Sequence, residues 1–101
     1  MADMTWREWR YASVDLANDV TTITHVPCLV KGAIVTTVLS ANDCPIKDGS
    51  TTVYTLPASS TVGSKVMDED GCRFETNLIV DPDNAATGVI TVFYRALSQP
   101  W

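Results

Sequence analysis

Thr, Val and Ile make up 30 of the 101 residues, grouped in short runs divided by Asn-, Asp- and Gly-rich breaks. A β-branched side chain loses rotamer freedom in a helix but packs well on a pleated surface, so this distribution points to strands. The clearest run is Thr87 to Leu97. Val89, Thr91, Phe93, Arg95 and Leu97 share one face, and Ile90, Val92, Tyr94 and Ala96 the other. Both faces are substantially apolar, as in a strand that is buried centrally or covered by a neighbour. Cys72 to Val80 alternates Cys72, Phe74, Thr76, Leu78 and Val80 against Arg73, Glu75 and Asn77, the pattern of a half-buried strand.

Cys28 to Ser40 reads as one long strand, with Gly32 inside it marking a bulge or a close backbone approach. Ala12–Leu16, Val20–Thr24, Thr51–Leu56 and Ser64–Met67 are shorter candidates. Turn chemistry separates them at Ala17-Asn18-Asp19, Asn42-Asp43, Lys47-Asp48-Gly49-Ser50, Asp68-Glu69-Asp70-Gly71 and Asp81-Pro82-Asp83-Asn84. About seven to eight strands at spacings of roughly 8–12 residues predict an antiparallel β-sandwich, a jelly roll or related Greek key. No tryptophan lies between a suitably spaced cysteine pair, which argues against an immunoglobulin domain. The length suits one domain, since domains commonly run to ~100–150 residues. Residues 1–11 read as an aromatic arm and residues 12–101 as the single β-sandwich domain.

Charge narrows the function. The net charge is −5, and from Ser13 onward five basic residues face ten acidic ones. Such a body lacks the basic stripe that displaces counterions from nucleic acid, and it would be repelled by an anionic membrane surface. Neither nucleic acid nor membrane is therefore an expected partner. The first residues lack the basic-then-apolar pattern of a secretory signal, and Cys28, Cys44 and Cys72 are odd in number. Both features predict synthesis in a reducing cytoplasm with three free thiols.

No catalytic motif is legible, so no enzyme activity, catalytic residue or cofactor is expected. His25 and Cys28 have a metal-like spacing, but no second paired motif completes a zinc site, and none is expected. A cupin-like metalloenzyme would need several histidines, and His25 is the only one. The acidic stretches Asp68–Gly71 and Asp81–Asn84 lack the spacing of a calcium loop and read as turns.

Residues 4–11, Met-Thr-Trp-Arg-Glu-Trp-Arg-Tyr, hold two of the three tryptophans, and Trp101 ends the chain. Chain ends are normally polar, so aromatic ends need shelter from the core or a partner. Trp, Tyr and Arg dominate interface hot spots, which makes Trp6, Arg7, Trp9, Arg10, Tyr11 and Trp101 the candidate contacts with another chain.

Four segments together, Cys28-Leu-Val-Lys-Gly-Ala-Ile-Val35, Asp48-Gly-Ser50, Cys72-Arg-Phe-Glu-Thr-Asn-Leu-Ile-Val80 and Thr87-Gly-Val-Ile-Thr-Val-Phe-Tyr-Arg95, resemble small virion proteins of tailed bacteriophages over about Val14 to Leu97. The resemblance implies a capsid decoration (cement) protein: a structural β-sandwich on the virion surface that binds the major capsid protein and stabilises the head shell, as a homotrimer. The arm has no counterpart in the shared pattern. A head-fibre or tail component that recognises a host surface glycan is the alternative.

Overall fold

In a computed structural model, residues 9–97 are described. The β-rich composition resolves into eight antiparallel strands: β1 (Arg10–Asp15), β2 (Thr21–Thr24), β3 (Cys28–Thr37), β4 (Cys44–Asp48), β5 (Thr51–Leu56), β6 (Lys65–Phe74), β7 (Leu78–Val80) and β8 (Val89–Ala96). They form two four-stranded sheets, ordered β1-β8-β3-β6 and β2-β7-β4-β5. The chain is an all-β sandwich. Its first half pairs with its second in reverse order, β1 with β8, β2 with β7, β3 with β6 and β4 with β5.

The core lies between the sheets. Val14, Val30, Ala33, Val35, Ile90 and Val92 face inward from the first sheet, and Cys44, Ile46, Leu56, Leu78 and Val80 from the second. Phe74 is fully buried among them, with Tyr54 stacked on it at 6.2 Å between ring centroids. The two-faced apolar run ending at Leu97 has its reason in the topology: β8 is an interior strand, bonded to β1 and to β3.

The Cys72–Val80 run is broken. Phe74 ends β6 in one sheet and Leu78 begins β7 in the other, so the alternating pattern continues across a crossover. Asp48 stabilises the break: its carboxylate accepts hydrogen bonds from the backbone N–H of Glu75 (2.8 Å) and Thr76 (2.9 Å). The Asn77 side chain in turn accepts from Gly49 N–H at 2.8 Å. Strand β4 is absent from the sequence reading because Pro45 cannot donate to a ladder and Ile46 is its only aliphatic residue. Pro45 is accommodated beyond the β7 ladder, where its carbonyl accepts from Asp81 N–H.

Asp68–Gly71 is no turn between strands but a bulge inside β6. Val30 pairs with Cys72 and Gly32 with Met67, so four residues of β6 oppose Lys31 alone. The β8 ladder slips at the same place, where Val30 pairs with Tyr94 and Gly32 with Phe93. Gly32 permits this double shift. Its φ is +144°, and an added Cβ would collide with the Val66 carbonyl and come within 2.7 Å of the Met67 sulfur. Gly32→Ala should therefore lose roughly 3 kcal/mol or more, combining backbone strain with overpacking, and urea melts of the two proteins measure the difference.

Candidate functional site

Alternation along β8 sorts the first sheet into two faces. Ile90, Val92 and Tyr94 pack on the core, so Val89, Thr91, Phe93 and Arg95 point outward. The ladders then place Tyr11, Phe93, Gly32 and Met67 in one outward row across all four strands. Ser13, Thr91, Ile34 and Lys65 form the next row. Tyr11 is 72% exposed and Met67 45%, while Phe93, Ile34 and Leu29 are half-buried. This face is unusually apolar for the solvent side of a sheet.

The predicted contact residues divide around this face. Trp6, Arg7 and Trp101 lie outside the described residues. The segment assigned to the arm overlaps the fold, since β1 begins at Arg10. Trp9 is half-buried and rests on its own domain: the Lys31 ammonium lies 5.3 Å from its ring centroid, and its ring edge covers Gly71. A cation so placed contributes about 0.5–1 kcal/mol at a partly wet site. Arg10 and Tyr11 are exposed on β1, with Tyr11 opposite Phe93. Sequence reasoning missed the rest of the row. Phe93 and Met67 join Tyr11 only through strand pairing between segments far apart in the chain. It also missed Arg95, a charged side chain only 1% exposed on the outward side of β8 beside Leu29.

A groove of about 430 Å³ lies elsewhere, lined by Asn42, Asp43, Pro45, Asp81, Pro82 and Asp83. Its carboxylates brace the loops around it. Asp43 accepts from Ala58 N–H at 2.8 Å, Asp83 from Ala85 N–H at 3.0 Å, and Asp81 pairs with Lys47 at 2.8 Å. Among the described residues, no group of three or more His, Cys, Asp or Glu side chains is placed to hold a metal ion. His25 is exposed in the β2–β3 loop while Cys28 is buried at the start of β3.

Burial pushes the Cys28 thiol up to about 11, helped by the Asp48 charge, and the Cys44 thiol up to about 12. Burial also raises the Tyr54 phenol, with Cys72 and Asp68 acting in the same sense. A thiol is nucleophilic as its thiolate, so Cys28 and Cys44 behave as small core side chains. At Asp48, partial burial works to raise the carboxyl, but the N–H groups of Glu75, Thr76 and Asn77 outweigh it and hold the group below the usual carboxylate range.

No family model, curated protein or solved structure matches the chain.

Two measurements check these environments. With a thiol reagent at pH 8 in native buffer, half-buried Cys72 should react first, and Cys28 and Cys44 only after unfolding. Asp48→Asn should cost about 1–2 kcal/mol at neutral pH, the worth of a charged acceptor facing backbone donors at a partly exposed site. Because the folded-state carboxyl is the more acidic one, that stabilisation is complete above the unfolded value near ~4 and lost as pH falls through the folded value. Urea melts of both proteins should thus converge on acidification.

Proposed function

We propose that this chain is a structural protein of a tailed-bacteriophage particle, a decoration protein that binds the assembled head shell in many copies and self-associates. We read its sandwich as an eight-stranded jelly roll. The reversed pairing of the two halves supports that reading, because two interlocked Greek keys generate this order. Jelly rolls occur in viral capsid proteins, lectins and cupins. The cupin role requires a cluster of metal-binding side chains, and the chain has a single histidine.

The observation that carries the reading is the outward row of Tyr11, Phe93 and Met67, apolar surface spread over a rigid sheet and uncommitted to the core. Such a face gains by being covered, and aromatic anchors on a rigid element give a modest interface its affinity. Repetition over a shell multiplies occupancy, and preference for the assembled state stabilises it by mass action. The resemblance of the four quoted segments to phage virion proteins supplies the identity of the shell.

Co-sedimentation with phage heads lacking this protein tests the proposal. The wild-type chain should pellet with the heads, and Tyr11→Ser should weaken binding by about tenfold or more, the effect of removing an aromatic anchor. Its melting temperature should change little, since Tyr11 is exposed. Binding abolished by free sugar or by calcium chelation, with Tyr11→Ser unaffected, would favour the glycan-recognition alternative instead.

A further inference from the structure

Among the described residues, the four edge strands of the sandwich are β1 and β6 in one sheet and β2 and β5 in the other. An edge exposes unpaired N–H and C=O groups, and proteins blunt such edges with bulges, charges or proline. Three of these four are interrupted. The β2 ladder skips Ile23, the β5 ladder skips Val53, and β6 carries the acidic four-residue bulge Asp68–Gly71. Only β1 runs straight: its six residues pair with β8 without a register shift, from Arg10↔Tyr94 to Asp15↔Val89. No proline or charge interrupts Tyr11-Ala12-Ser13-Val14.

We propose that β1 is a pairing edge for β1 of a second copy, joined antiparallel about a two-fold axis so that two four-stranded sheets become one of eight strands. Charge selects this orientation. In-register parallel pairing would stack Arg10 on Arg10 and Asp15 on Asp15, whereas antiparallel pairing keeps these like charges apart. Side-chain alternation selects the register. Tyr11, Ser13 and Asp15 face outward, so outward residues must oppose outward residues across the junction. Centring the overlap on Ser13 meets that condition. Ser13 then faces Ser13 of the second copy, Ala12 faces Val14, and Tyr11 faces Asp15, phenol to carboxylate. The Tyr11 rows of both copies lie on the same side of the enlarged sheet, doubling the outward apolar surface. The contact is isologous and closes at two chains, in place of the three-fold association implied by the resemblance. It stands independently of shell binding.

The test is light scattering on the full-length chain over a range of concentrations. A mass of two 11.0 kDa chains is expected. Ser13→Lys and Ser13→Glu each place like charges opposite one another and should each raise the dimer dissociation constant at least tenfold. An equimolar mixture of the two variants should restore dimers, because Lys then faces Glu. Circular dichroism of each variant alone verifies that the monomer is folded, and rescue by mixing cannot arise from unfolding. A trimeric mass, a wild-type monomer at all concentrations, or two weakened variants that fail to rescue each other would overturn the proposal. So would a monomer whose β1 amides all resist hydrogen exchange, since the edge would then be paired within its own chain.

Discussion

The contact on which most of this structure depends is the approach of β6 and β8 to the backbone of Gly32. A side chain there would displace the Val66 carbonyl and Met67, and φ at +144° excludes most other residues from the position in any case. Because both ladders of β3 shift at the same point, one glycine sets the register of three strands in the first sheet. The insertion Asp68–Gly71, the seat of Trp9 on Lys31 and Gly71, and the alignment of Phe93 with Met67 all follow from that register. A one-residue slip would turn the outward row into the core and the core outward.

The sheets are treated unequally. The second sheet places its polar linkages at its ends, where Asp48 caps the β6–β7 crossover and Lys47 ties β4 to Asp81. The first sheet instead carries apolar residues on both faces in its interior strands, and its outer edge β1 is unbulged. Both features are those on which the proposed association rests. Surface ion pairs add little to either: Arg73–Glu75, at 2.9 Å and well exposed, is of the kind that contributes about 0–1 kcal/mol.

Legibility from sequence followed local determinants. The interior position of β8, the length of β3 and its irregularity at Gly32 are visible because alternation and a mid-strand glycine are properties of contiguous residues. The missed features each need a partner remote in the chain. Pro45 hides β4, whose pairing with β5 and β7 outweighs the lost donor. The Cys72–Val80 pattern is continuous in side-chain period yet spans two sheets, because Asp48, 27 residues from Glu75, holds the crossover open. The acidic run at Asp68 has turn composition but lies within a strand, since ladder bonds on both sides of it persist.

By itself the amino-acid order determined that this chain forms antiparallel strands, that its surface is acidic, and that its cysteines need no pairing. These are consequences of side-chain shape, charge and short-range turn preference, which act along the chain. Which residues share the outward row, which edge is left straight, and why Arg95 is covered on the outward side of its sheet were decided only on folding. Each depends on hydrogen-bond register between segments tens of residues apart, and register is a property of paired strands, not of either strand alone.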